Sequence, residues 1–487
     1  HFWDNATILN ITHVQNELTN TKAQLDFHFT IEVNSAGDYA IKLGNVPFKR
    51  TLKKGINKVT IPISLPDPIL WWPNGMGAAH QYLFDFSLYH DQELLEKKQI
   101  KIGLRTIELV QEKDSIGKSF YFKVNGKPVF MKGANVIPPD SFLPRATDSV
   151  YQSIVKNAVD ANMNMLRVWG GGVYADDAFY EACDRNGILV WQDFMFACAM
   201  YPGDAAFLEN VKQEVIDNVT RLQNHPSIAL WCGNNENDEG WHNWGWQKQY
   251  NYSEADSTKI WNDYQKLFHK LIPQTLTELL PDNENRYWPS SPSIGWGRKE
   301  SLLSGDAHYW GVWWGMEPFE MYQKKVGRFM SEYGFQGMPD IKTFQVFAQN
   351  AELNFDSEAI KNHQKHPTGY KTINEYMARD YQMPTNFEDY IYVSQLLQAE
   401  GMKMAIEAHR SAKPNCMGTL FWQLNDCWPV TSWSSVDYYG RWKAFQYQAK
   451  RSFNPILVDI TENEVNYEVR VINDELIPHH ITLVEEV

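Results

Sequence analysis

From Ile8 to about Leu109 apolar and polar positions alternate in short runs, as in Gln24-Leu25-Asp26-Phe27-His28-Phe29-Thr30-Ile31-Glu32-Val33 and Lys58-Val59-Thr60-Ile61-Pro62-Ile63. Turn signals at Ser35-Ala36-Gly37-Asp38 and Lys54-Gly55 separate them. A period of two with turns at such spacing predicts strands with one buried face, hence an antiparallel β-sandwich over residues 1–110. After Gly126-Lys127-Pro128 the pattern changes. Continuously apolar runs at Val129–Gly133, Met165–Trp169, Ile188–Trp191, Ile228–Cys232, Arg286–Pro289, Leu302–Gly305, Arg328–Ser331 and Gly418–Gln423 alternate with helical patterns such as Ser149–Ala161, Asp176–Asn186, Phe207–Asn224 and Ile260–Glu278. Strands apolar on both faces and linked by helices belong to a parallel sheet, and eight of them predict a (β/α)8 barrel over residues 111–453. Alternation returns from about Asn454, for example at Asn466-Tyr467-Glu468-Val469-Arg470-Val471. Residues 454–487 are too few to close a domain and read as the start of a truncated second sandwich.

A barrel carries its chemistry where its strands end. Those positions read Arg167-Val168-Trp169-Gly170-Gly171-Gly172, Gly233-Asn234-Asn235-Glu236, Asp306-Ala307-His308-Tyr309-Trp310, Ser331-Glu332-Tyr333-Gly334 and Phe421-Trp422-Gln423-Leu424-Asn425-Asp426. Glu236 and Glu332 thus stand at equivalent levels on the fourth and seventh strands. Two carboxyl groups flanking an acetal carbon, one protonated and one ionised, are what glycoside hydrolysis requires. Burial near a second carboxylate raises the pKa of the acid, and Arg167 can keep the partner charged. Each glutamate alone reads as well as a rim residue paired with Arg or Lys. The Gly170–Ala175 stretch matches a dinucleotide pattern with Asp193 following, but Asp176 and Asp177 at the next helix start would repel a pyrophosphate.

Composition narrows the classes further. The 487 residues carry 45 basic and 59 acidic side chains, a net charge of -14 without basic clusters, which argues against nucleic acid as a partner. No apolar stretch reaches the ~18–20 residues of a membrane helix. The five cysteines form neither a disulfide framework nor, with histidines, a metal motif, so no metal is expected, and no cofactor is implied because protons and a carboxylate nucleophile suffice for glycoside hydrolysis. The 19 Trp, 24 Tyr and 25 Phe serve the core in part; at strand ends and in Gly-rich loops Trp offers a flat apolar face for a sugar ring.

Together with Trp71-Trp72-Pro73-Asn74-Gly75, these rim motifs resemble glycoside hydrolase family 2, and within it the β-mannosidases. The resemblance implies an immunoglobulin-like sandwich ahead of the barrel and a retaining exo-enzyme acting on terminal β-D-mannose of β-mannosides or manno-oligosaccharides. It implies Glu236 as acid/base, Glu332 as nucleophile, Asn235 on the sugar 2-hydroxyl, and Arg167 and Tyr309 on the nucleophile's oxygens. Trp169, Trp244, Trp296, Trp310 and Trp422 would line the subsite. Family members also carry an N-terminal sugar-binding domain, one loop of which completes that subsite. No residue before His1 supplies it, so the chain as given is expected to hydrolyse β-mannosides poorly. Other family 2 activities (β-galactosidase, β-glucuronidase, exo-β-glucosaminidase) and a non-catalytic carbohydrate-binding protein remain as alternatives, and the compartment is left open.

Overall fold

The computed structural model describes residues 3, 5–281, 286–349, 352–462 and 467–482. Strands β1 (Ala6–Leu18), β2 (Lys22–Val33), β3 (Gly37–Leu43), β4 (Val46–Leu52), β5 (Gly55–Pro66), β6 (Tyr82–His90) and β7 (Glu93–Ile102) form two antiparallel sheets, ordered β1-β2-β5 and β4-β3-β6-β7. The alternation read from the sequence is the burial pattern: Leu25, Phe27, Phe29 and Ile31 of β2 point into a core shared with Tyr39, Ile41, Phe86 and Leu88. Phe27 and Phe29 meet Phe86 edge-on at ring distances of 5.1 and 4.9 Å.

A small antiparallel sheet follows, β8 (Ile107–Val110), β9 (Tyr121–Val124) and β10 (Lys127–Val129), in the order β10-β9-β8. Its Phe120 and Phe122 pack against the first residues of the next strands, Met131, Met165 and Leu189, and so plug the N-terminal mouth of the barrel. Eight parallel strands build that barrel: β11 (Met131–Val136), β12 (Met165–Val168), β13 (Leu189–Asp193), β14 (Ile228–Cys232), β15 (Tyr287–Trp288), β16 (Ala307–His308), β17 (Met330–Glu332) and β18 (Gly418–Phe421). Their order, β15-β14-β13-β12-β11-β18-β17-β16, brings the first strand against the last. Between β15 and β16 no ladder forms among the described residues. Side chains bridge the gap instead: Asp306 accepts from Trp288 Nε1 at 2.8 Å and from Ser291 Oγ at 2.6 Å.

Three predicted segments shift. The first barrel strand starts at Met131, not Val129, because Lys127–Val129 pairs back on β9. The sixth starts at Ala307, not Leu302: Lys299–Leu302 is a 3₁₀ turn and Gly305 is left-handed at φ 71°. The helix expected over Ile260–Glu278 starts at Glu254 behind a Ser253/Asp256 capping box and loosens into a π-turn at Leu267–Leu271, just ahead of Pro273. The longest helix, Phe387–Ser411, lies between β17 and β18, where the sequence reading named none. The C-terminal alternation forms a hairpin of β19 (Ile456–Glu462) and β20 (Tyr467–Asn473), while Asn466 of the predicted run lies outside the described residues. Asp474 pins this hairpin through Arg410, Lys413 and Lys132.

Trp71 locks the segment between sandwich and barrel. Its ring is fully buried in the cluster under the barrel, and its Nε1 donates to the Asp184 carbonyl at 2.8 Å. Trp71→Ala removes that burial and leaves the carbonyl unpaired, so it should cost about 3–5 kcal/mol in denaturant unfolding. A loss below about 1 kcal/mol would show that the segment is not locked there.

Candidate active site

Because parallel strands all end at one rim, Asn135, Arg167, Asp193, Asn235, His308 and Glu332 converge though 197 residues separate the first from the last (332 minus 135). Arg167 lies at the centre with no exposed surface. All five of its N–H donors are engaged. Nε and Nη2 grip the two oxygens of Asp193 at 3.3 and 2.8 Å, Nη1 reaches Glu332 Oε1 at 2.7 Å and Asn135 Oδ1 at 2.9 Å, and Nη2 also reaches Asn235 Oδ1 at 2.7 Å. Burial alone would lower the guanidinium pKa, yet the charges of Asp193 and Glu332 outweigh it and raise it. The cation is therefore fixed.

Glu332 ends β17 and is held from three sides: Arg167 on Oε1, and Trp310 Nε1 at 3.3 Å and His308 Nδ1 at 3.4 Å on Oε2. Glu236 sits just past β14 in a left-handed conformation, φ 61°, immediately before the helix Asn237–Asn243. That turn swings its carboxyl across to His308, whose Nδ1 is 2.8 Å from Oε1, while Oε2 has only longer contacts to Asn235 Nδ2 (3.4 Å) and Cys198 Sγ (3.6 Å). One oxygen of each glutamate and His308 Nδ1 all lie within 4.8 Å of one another. This is the one His/Cys/Asp/Glu group among the described residues spaced for a metal ion. Its ligand atoms are already taken up by hydrogen bonds and the Arg167 cation, which fits proton sharing better than metal binding.

Burial pushes both carboxyl groups up. At Glu236 the hydrogen bond and charge of His308 overcome burial and pull the pKa below its ordinary value. At Glu332 burial, with the charge of Glu236, overcomes the pull of His308 and Arg167, and the pKa is raised. The sequence reading had the proton on the acid and the partner held ionised by arginine. In the folded protein the two carboxyl groups meet at one imidazole nitrogen, His308 Nδ1, 2.8 Å from Glu236 Oε1 and 3.4 Å from Glu332 Oε2.

No protein-family model matches the chain. It is 38% identical over 428 residues to β-mannosidase B of Neosartorya fischeri and 37% identical over 428 residues to β-mannosidase B of Aspergillus fumigatus, in each case covering 86% of this chain and 50% of the relative. The crystal structure of a β-D-mannosidase from Dictyoglomus thermophilum superposes with a TM-score of 0.89 at 38% identity, covering 97% of this chain and 58% of that one. The likeness to these β-mannosidases thus runs through most of this chain at 37–38% identity. It spans about half the length of the curated relatives it matches. An exo-chitosanase from Amycolatopsis orientalis, at 20% identity and a TM-score of 0.74 over 97% of this chain and 55% of its own, shares the fold.

Within this barrel the expected substrate residues divide. Arg167, Asn235 and Trp310 join the carboxylates directly. Trp169 and Trp422 face each other edge-on at 5.0 Å from the ends of β12 and β18, the two strands that flank β11, both half-buried. Trp244, 41% exposed, packs on Trp246, and Trp296 packs on the ring of Tyr309. Tyr309 does not hold the nucleophile's oxygens: its hydroxyl donates to Glu317 and its ring is buried against Tyr322. Along β16 successive side chains point to opposite faces, so Asp306, His308 and Trp310 share the inner face and Tyr309 points out. Applied to the sequence, that parity would have selected His308 and Trp310. Asp193, weighed there only in a rejected dinucleotide pattern, is the partner that neutralises Arg167.

Arg167→Met leaves Asp193 and Glu332 buried without their cation and should cost about 3–5 kcal/mol of stability in denaturant unfolding. An unchanged midpoint would mean that the network carries no structural weight.

Proposed function

We propose that this chain carries the catalytic domain of a retaining exo-β-mannosidase that removes terminal non-reducing β-D-mannose by double displacement. The observation that carries the reading is the pair of carboxyl groups with oxygens within 4.8 Å of each other. Such spacing suits a nucleophile and an acid/base, whereas inversion needs about 6.5–9.5 Å to seat a water. Glu332, aligned by Arg167, Trp310 and His308, attacks the anomeric carbon and forms a glycosyl ester as the C1–O bond breaks. Glu236 gives a proton to the departing oxygen and then takes one from the water that hydrolyses the ester.

Asn235 Oδ1 is committed to Arg167, whereas its Nδ2 makes only contacts of 3.4 and 3.5 Å. That amide is the donor available to the 2-hydroxyl, where a bond that tightens in the transition state lowers the barrier. Trp169, Trp310 and Trp422 supply apolar faces around the ring, with Trp244 and Trp296 further out. The mannosidase reading over other family 2 sugars rests on the likeness to the mannosidases named above.

The test is turnover of aryl β-D-mannoside beside the matching galactoside, glucuronide and glucosaminide. The mannoside should be preferred, Glu332→Ala should fall to background, and Glu236→Ala should lose about 10²–10⁴-fold and be partly rescued by azide with a good leaving group. Equal rates in wild type and Glu332→Ala would refute the reading.

A further inference from the structure

We propose that His308 is a positioning residue that grips Glu236 by Oε1 and stores a proton for the carboxylate pair, with its tautomer set by Ser291 and Asp306. The inference rests on the reading of Glu236 and Glu332 as the reacting pair. Asp306 is 1% exposed and accepts three hydrogen bonds: from Trp288 Nε1 at 2.8 Å, from Ser291 Oγ at 2.6 Å and from Ser331 Oγ. The single hydroxyl hydrogen of Ser291 is thereby used, and toward any other neighbour its oxygen can only accept. His308 Nε2 lies 3.0 Å from that oxygen and so must be the donor.

With Nε2–H fixed, Nδ1 of a neutral ring carries a lone pair. That lone pair would face Glu236 Oε1 at 2.8 Å and Glu332 Oε2 at 3.4 Å in a site where His308 is 1% exposed, too dry for water to intervene. Three acceptors cannot meet without a hydrogen, so one proton occupies the Nδ1···Oε1 bond. The charges around the ring point the same way. Glu236 beyond β14, Glu332 on β17 and Asp306 on β16 surround it, Glu239 lies behind Glu236, and Arg167 is the opposing cation, itself neutralised by Asp193. The neighbouring Cys198 thiol is pushed toward its neutral form by partial desolvation and by the charges of Glu236 and Glu332. Burial of the imidazole would lower its pKa, but the charge of Glu332 and the bond to Glu236 outweigh burial and raise it.

Two consequences follow for the pair. While that proton is held, the imidazole and the two carboxyl groups together carry one negative charge instead of two, and Glu236 Oε2 is left as the loosely held oxygen that meets the leaving group.

The inference is read without turnover, by ¹⁵N-histidine correlation spectra of the chain across pH, with the His308 signals assigned by their loss in His308→Gln. His308 should titrate above the ordinary imidazole value of about 6.5, its neutral form should carry hydrogen on Nε2, and Glu236→Gln should lower the midpoint by about one unit or more. Hydrogen on Nδ1, a midpoint at or below about 6.5, or a midpoint indifferent to Glu236→Gln would each overturn it. If His308→Gln does not fold, Ser291→Ala provides the assignment, and it should also weaken the Nε2–H preference. Failure to hydrolyse mannosides would count against the proposed function and leave this titration untouched.

Discussion

A guanidinium with no exposed surface keeps its charge only if carboxylates and carbonyl oxygens replace the water it has lost, and Arg167 has five such bonds. Those bonds tie together the rims of β11, β12, β13, β14 and β17. Because Asp193 takes two of them, the remaining donors are aimed, and Glu332 cannot rotate without breaking its bond to Nη1. Glu332 is thus fixed in one orientation before any ligand arrives, and in the proposed role of nucleophile it would gain from that preorganisation, which lets charge develop in a dry site without reorganising the surroundings.

The second half of the rim depends on side chains more than on backbone. β15 and β16 are two residues each and are joined by Trp288, Ser291 and Asp306. The same aspartate that sutures the barrel there also sets the tautomer of His308, so closing the wall and poising the proton are one arrangement. A left-handed Glu236 completes it. The φ of 61° puts a non-glycine residue in a sparsely populated region, a strain that sheet and helix over-determine and that turns the carboxyl toward His308.

Much of this was legible before folding. Period-two alternation marked the sandwich, and eight apolar runs marked the barrel, since both follow from which face a strand buries. Glu236, Glu332, Arg167 and Asn235 were legible because residues at the ends of parallel strands must share a rim. Tyr309 was placed on the oxygens of Glu332 by resemblance alone, and His308 was passed over, because strand parity, which turns His308 inward and Tyr309 outward, was not applied. The β15–β16 closure was hidden because its partners, Trp288, Ser291 and Asp306, make side-chain bonds that leave no periodic trace. Asp193 was hidden because a buried aspartate declares itself only once its arginine is located.

Glu332, in the proposed role of nucleophile, should form an ester with the sugar that is a true intermediate. A 2-deoxy-2-fluoro-β-D-mannosyl fluoride tests it most directly: the ring fluorine slows both chemical steps, and the fluoride leaving group restores the first. Intact-mass analysis of the incubated chain should show one added fluoromannosyl group, and peptide mapping should place it on Glu332. A label on Glu236 or another residue, or fluoride release with an inverted product and no adduct, would contradict the account.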